Sequence, residues 1–382
     1  RYLYDINKAL VRIYGKPVIE HVLESAVSSP IDSIVIVGPA EVGEWLGNSE
    51  YAGRVLFREQ GEERVENVLR GKEALGKTGP TLLLAGDLPL LSYRNKCIEE
   101  MLDEALVEEA VIAAPVISRT YARNQWGELF RPENSWASVG SMSWQDETHE
   151  ADHAGNLLVK EGNYIIADFS DRRMNIEPLR GSLGLVKQRS LKNKLKGMYE
   201  IVRIVKENSR RAGYSPLNAV LYAVNKYIQI QAASKTRRIK SATEEDLRRI
   251  GACAIGVPPE EIAFPETRVF EQHPDLDSLE DAYRIAREIY RRSNGGKDIS
   301  DYRELEDKIT YPTESGEMPL IKAVGYDKLH AADFTRRKED WALLADESFA
   351  EISPDILKIN PFFNMEELFY AKMNHSLRKQ KL

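Results

Sequence analysis

The sequence predicts an α/β fold: a mostly parallel, twisted sheet with helices on both faces, plus a helical insertion and a helical C-terminal extension. Short apolar runs without polar alternation point to strands buried on both sides, and amphipathic helical stripes fall between them. No apolar stretch reaches the roughly eighteen residues that a membrane span needs.

In chain order, "GKPVIEHVLESAVSS" puts Val18, Ile19, Val22, Leu23, Ala26 and Val27 on one helical stripe, with Pro17 and Lys16 in its first turn. "SIVIVG" (33–38) reads as a buried strand and "RVLF" (54–57) as a weaker one. "EERVENVLRGKEAL" (62–75) reads as a helix, "TLLLAG" (81–86) as a strand, "RNKCIEEMLDEALVE" (94–108) as a helix and "AVIAAPV" (110–116) as a strand. Residues 119–153, rich in Trp, Ser, Asn and Glu without a period, predict a loop excursion that leaves the sheet. Trp126, Trp136 and Trp144 either anchor it or stack on a substrate. "GNLLV" (155–159) and "NYIIAD" (163–168) return to strands, 188–250 is helical, and 277–292 is one more helix. "SNGGKD" (293–298) reads as a linker, dividing a domain of residues 1–292 from a mostly helical extension to residue 382.

Lys and Arg number 53 against 60 Asp and Glu, a net charge of −7, which argues against nucleic acid as a partner. Cys97 and Cys253 are too few for a disulfide framework or a four-thiolate zinc site and fit a reducing compartment, the cytoplasm. The basic run 187–211 is a solvated helix face or a contact with an acidic ligand or anionic membrane surface. The apolar helix over 217–230 suits a core or a homodimer interface.

"LLLAGDLPLL" (82–91) sets Asp87 just past a strand, between Gly86 and Pro89. Ligands of open parallel sheets bind outside the carboxyl ends of strands, and Mg²⁺ favours one or two carboxylates plus substrate phosphates. The competing reading is that Asp87 caps the following turn. In "HPDLDSLEDAYRIAREI", Asp277 taken alone is an N-cap with Glu280 completing a capping box; taken with Asp87 it clamps a cation. "HEADH" (149–153) matches a zinc-hydrolase pattern, but Gly155 ends any helix too soon to present both histidines.

The stretches "NKALVRIYGKPVIEHVLESAV", "LLLAGDLPLL" and "DLDSLEDAYRIA", in that order, resemble the nucleotidyltransferases related to molybdenum-cofactor guanylyltransferases and to sugar- and polyol-phosphate nucleotidyltransferases. The resemblance covers about residues 1 to 292 and implies a Rossmann-like, GT-A-like sheet. It implies Asp87 and Lys8 as catalytic residues, with Asp87 and Asp277 holding Mg²⁺ and Asp275 their neighbour. Lys8, Gly86, Asp87, Lys16 and Asn67 become nucleotide-binding candidates, Lys16 and Asn67 otherwise being solvent-facing. Gly155 and Asn156 fall near the acceptor. Ser278 and Leu279 depart from the family's Thr and Pro. The implied reaction joins the NMP group of an NTP to a small phosphorylated acceptor with release of pyrophosphate. The family's glycine-rich loop would precede Lys8; the non-methionine start at Arg1 favours its lying upstream. Turnover-free nucleotide binding and glycosyl transfer from a nucleotide sugar are the alternatives.

Overall fold

The computed structural model describes residues 3, 6–76, 79–106, 110–126, 129, 137–140, 142, 149, 157–170, 174–179, 191–235, 241–272, 274–324, 369–370, 373–374 and 377. Its elements begin with β1 (Arg12–Ile13), β2 (Lys16–Pro17), α1 (Val18–Val27), β3 (Val35–Gly38), α2 (Ala40–Gly47), β4 (Leu56–Glu59), α3 (Arg64–Leu75) and β5 (Pro80–Leu84). They continue through α4 (Cys97–Leu106), β6 (Ile112–Ala113), β7 (Val116–Ser118), α5 (Arg119–Trp126), β8 (Ala137–Gly140), β9 (Leu157–Glu161) and β10 (Tyr164–Asp168). The rest are α6 (Leu191–Asn208), α7 (Pro216–Lys235), β11 (Ser241–Thr243), α8 (Glu244–Ile255), β12 (Ile262–Ala263), α9 (Leu279–Ser293), β13 (Ile309–Thr313), β14 (Gly316–Pro319) and α10 (Leu320–Ala323). Among the described residues, no helix is long and apolar enough to cross a membrane.

The chain divides into two compact units, one gathering Arg1–Ser25, Gly86–Asn95 and Glu271–Leu382, the other Ala26–Ala85 and Lys96–Phe270. The expected linker at 293–298 therefore lies inside the first unit. That unit's sheet runs β14-β13-β1-β2, antiparallel throughout. Ile13 and Ile309 sit opposite one another, both fully buried. The loop between β1 and β2 is Tyr14-Gly15, with φ of 53° and 79°, the two positive values of a type I′ hairpin. Tyr14 bears that conformation because its N–H donates to the Lys308 carbonyl at 2.7 Å and its hydroxyl to the Ala286 carbonyl at 3.3 Å. Helix α9 buries Leu279, Ala282, Tyr283, Ile285, Ala286 and Ile289 along one stripe, and the Tyr283 and Tyr370 hydroxyls share a hydrogen bond of 2.7 Å.

In the second unit, β10 is antiparallel to both of its neighbours, β5 and β6, while β12 joins β6 in parallel. Strands β3 and β4 form a separate parallel pair, and a third sheet runs β11-β8-β9-β7. Val116, Val139, Met142, Leu157 and Val159 form a core against that third sheet. The architecture is mixed α/β. The mostly parallel sheet expected from the sequence is not what these ladders form, because β10 enters between β5 and β6 running the other way. The predicted strand 110–116 also splits, into β6 and β7 on different sheets, at Pro115, which has no N–H to give a ladder. Within 119–153 the described residues hold helix α5 and strand β8 instead of a loop throughout. In the described part of the extension past 299, helical turns (Tyr302–Lys308 and Leu320–Ala323) flank a hairpin of β13 and β14.

Candidate active site

Lys8 opens a 3₁₀ turn, Lys8–Leu10, whose following residues Leu10 and Val11 are buried and tie it to the first unit's core. Asp87 comes three residues after β5, and the chain beyond it is pinned by Leu88, Leu90 and Leu91, all fully buried. At Gly86 just before it, a Cβ would lie 3.2 Å from Ile19 Cδ1. Asp277 follows the fully buried Leu276, and its carbonyl accepts from the Leu3 N–H at 3.1 Å.

Helix α9 is capped by Ser278, whose hydroxyl accepts from the Asp281 N–H. The cap is one residue later than the sequence suggests, so Asp277 is not the N-cap. Asp87 likewise does not cap the next described 3₁₀ turn, Leu91–Tyr93, which has no side-chain cap.

The side chains of Lys8, Asp87 and Asp277 converge. Lys8 Nζ donates to Asp277 Oδ1 and lies 3.7 Å from Asp87 Oδ2. Lys8 and Asp87 are 25% and 24% exposed and Asp277 54%, so the cluster is anchored on its inner side and open on the other. Burial works against the Lys8 charge, but the hydrogen bond to Asp277 and the fields of Asp277, Asp87 and Asp275 outweigh it and raise its pKa. Burial raises the Asp87 carboxyl above the usual carboxylate range; Lys8 pulls it back only in part, and Asp277 pushes it further up.

That balance is the test of whether a divalent cation suits the residues. Asp87 and Asp277 share one ammonium, Lys8, and Asp275 adds its field to the same group. Among the described residues no three His, Cys, Asp or Glu side chains form a closed metal cage. Two carboxylates that leave the other ligand positions to phosphate and water are the donor set hard Mg²⁺-like cations take. The residues fit such an ion.

The remaining sequence candidates are placed differently. Lys16 stands on strand β2, not on a helix, and its ammonium is engaged with Glu24 Oε1 at 2.6 Å. Asn67, on α3 in the second unit, turns its amide oxygen to the Gly61 N–H at 2.7 Å. Asp275 contributes its field to Lys8 and is half-buried. Gly155, Asn156, Trp136, Trp144 and residues 150–153 of "HEADH" lie outside the described residues, as does the side chain of Trp126. His149 Nε2 lies 3.0 Å from Glu266 Oε1, a carboxylate partner for the first histidine of that motif.

Residues 2–248 match the model of the MobA-like NTP transferase domain. The chain belongs to that family. Nucleotidyl transfer is the family's chemistry, its members generally use divalent metal ions, and the chain is a nucleotidyltransferase by descent. It is 34% identical over 171 residues to the 2-C-methyl-D-erythritol 4-phosphate cytidylyltransferase of Synechococcus sp. (strain WH7803), covering 43% of this chain and 75% of that one. To the bifunctional protein GlmU of Desulfotalea psychrophila it is 29% identical over 156 residues, 40% of this chain and 39% of the relative. A solved Bacillus anthracis structure, provisionally described as a glucose-1-phosphate thymidylyltransferase in complex with a sucrose, aligns at 13% identity and a TM-score of 0.29, covering 65% of this chain and 87% of that one. Asp275, Asp277 and the hairpin β13–β14 lie beyond the matched family residues.

Sequence reading missed the hairpin, although "ITYPTESGEMP" carries a β-branched and aromatic run followed by a Ser-Gly turn. Pro312, inside the first strand, masks that signal.

Proposed function

We propose that this chain transfers an NMP group from an NTP to a small phosphorylated acceptor, in a Rossmann-like domain and with Mg²⁺ as the metal. The observation that carries the reading is the meeting of Lys8 with Asp87 and Asp277, although 269 residues separate Lys8 from Asp277, in a chain of the NTP transferase family. The parallel pair β3–β4 supports the Rossmann-like reading. The relatives' names, a cytidylyltransferase acting at a sugar-alcohol phosphate among them, support a phosphorylated acceptor.

In the reaction an acceptor oxygen bonds to the α-phosphorus while the bond from that phosphorus to the bridging oxygen breaks, and pyrophosphate leaves with the bond's electron pair. A phosphate acceptor is already ionised near neutral pH, so no side chain is needed as a base. Asp87 and Asp277 would hold Mg²⁺, which when bound draws charge from the phosphate oxygens. Lys8, charged and held on its short turn, sets a point charge against the triphosphate. Because its present partners are the same two aspartates, Lys8 exchanges Asp277 for phosphate when substrate enters. Gly86 leaves room for close approach beside Asp87. Positioning and charge neutralisation supply most of such a rate enhancement. Cys97 and Cys253, both buried and neither in a disulfide, accord with a reducing compartment, the cytoplasm.

Incubating the protein with each of the four NTPs and a panel of sugar-, polyol- and cofactor-phosphates, with pyrophosphate release as readout, tests the reading. One NTP and acceptor pair giving acceptor-dependent pyrophosphate is the expected result; none doing so, with folded protein and Mg²⁺ present, overturns it.

A further inference from the structure

Lys8 is a flexible side chain on a three-residue turn, and its aim depends on what holds that turn. Among the described residues, the Leu10 N–H to Asn7 carbonyl bond (3.0 Å) and the Val11 N–H to Lys8 carbonyl bond (3.2 Å) shape it locally. Just past the turn, β1 has two residues, too few to fix itself. Its partner on one side is the equally short β2; on the other it is β13, from a hairpin some three hundred positions later in the chain.

That hairpin and Lys308, the residue just before it, grip the Lys8 segment at four points. Arg12 and Ile13 pair with Thr310 and Ile309 in the ladder. Glu317 Oε1, on β14, meets Arg12 Nη1 at 2.9 Å. The Lys308 carbonyl takes the Tyr14 N–H at 2.7 Å. The Tyr311 hydroxyl accepts from the N–H of Asn7, the residue directly before Lys8, at 3.4 Å. The contacts run from residue 7 to residue 14 and so bracket the lysine on both sides.

We propose that the hairpin β13–β14 is a positioning element for Lys8, and that Tyr311 and Glu317 are positioning residues that act through Asn7 and Arg12. The proposal rests on the reading of Lys8 as the group that meets the triphosphate. It gives the segment past residue 299, outside the matched family residues, a part in the reaction. Misplacing a reacting or charge-bearing group by a fraction of an ångström costs turnover much more than it costs folding.

The test uses the full chain and two readouts. The first is kcat against KM for the NTP and acceptor pair that the wild type uses. The second is the rate at which Lys8 Nζ is acylated by an amine-reactive ester, followed by peptide mass spectrometry with no substrate present. Tyr311→Phe and Glu317→Ala are expected to lower kcat on the order of tenfold with little change in the acceptor KM, and to acylate Lys8 faster than the wild type. Glu317→Asp restores part of both. Tyr370→Phe, which removes the hydroxyl's bonds to Tyr283 and Glu306 in the same unit, is the structural control: it lowers the melting temperature and leaves Lys8 acylation at the wild-type rate. Wild-type values of Lys8 acylation and kcat in both Tyr311→Phe and Glu317→Ala overturn the proposal. If the wild type turns over no NTP, the reading of the site fails instead, and the acylation rates alone decide whether the hairpin positions Lys8.

Discussion

Burial of His21 within the lysine-bearing unit makes that unit sensitive to mild acid. The imidazole is 1% exposed, its Nδ1 lies 2.9 Å from Ser92 Oγ, and the Tyr93 ring is tilted against it at 5.5 Å between centroids. Burial, followed by the charge of Lys16, lowers its pKa from 6.5 to about 3, against a weaker opposing bond to the Ile13 backbone. The folded protein therefore keeps His21 neutral where the unfolded chain protonates it. The stability so gained is complete above pH 6.5 and drains away as the pH falls towards 3. Each pH unit in that window costs about 1.4 kcal/mol, so the whole interval is worth about 5 kcal/mol. His21→Gln keeps a hydrogen-bonding group for Ser92 and does not titrate. Urea denaturation of both proteins at pH 7, 6, 5 and 4, subtracted one from the other, removes the carboxylates common to both. The difference is expected to move by about 2.7 kcal/mol between pH 6 and pH 4, in the direction of the wild type losing more. Parallel stability curves, or a His21 ring resonance that titrates near 6.5, would show that burial does not hold the imidazole neutral.

Two further predictions concern the second unit. Asp246 closes the capping box of α8 with Thr243 and accepts from the Tyr222 hydroxyl and from Lys226 Nζ at 2.8 Å. Burial alone would raise its pKa, but these hydrogen bonds outweigh it and hold the carboxyl at about 2. Asp246→Asn is expected to cost about 2 kcal/mol at pH 7, and the cost to vanish as the pH falls from 4 to 2, as read by chemical denaturation. Gly43, on α2, lies so close to Phe57 on β4 that a Cβ would stand 2.6 Å from the ring. Gly43→Ala is expected to cost about 1–3 kcal/mol through overpacking, visible as a lower melting temperature, in spite of alanine's better helix propensity.

Much of this was legible in the residues. The stripe of Val18, Ile19, Val22, Leu23, Ala26 and Val27 becomes α1, with all of them but Val27 buried, because a 3.6-residue period leaves few other solutions. The motif stretches around Lys8, Asp87 and Asp277 meet because each is braced locally by buried neighbours, Leu10, Leu88 and Leu276, that the same quotations contain. Pairing direction was not legible. An apolar run such as "NYIIAD" states that a strand is buried, not which way its neighbours run, and β10 proved antiparallel on both sides. The partner of Lys16 was hidden for a similar reason. A lysine eight residues before a glutamate reads as two solvated charges until β2 and α1 fold back to bring Lys16 to Glu24. The hairpin over Lys8 depends on contacts some three hundred positions apart, beyond the reach of any local signal.

On this reading Asp87 and Asp277 act together in nucleotidyl transfer. The most direct test is acceptor-dependent pyrophosphate release by the wild type, Asp87→Asn, Asp277→Asn and the double variant, each checked for an unchanged circular dichroism spectrum. Each single change is expected to lower turnover at least a hundredfold and the double to fall little further, as for two ligands of one site. Wild-type turnover in either single variant contradicts that reading.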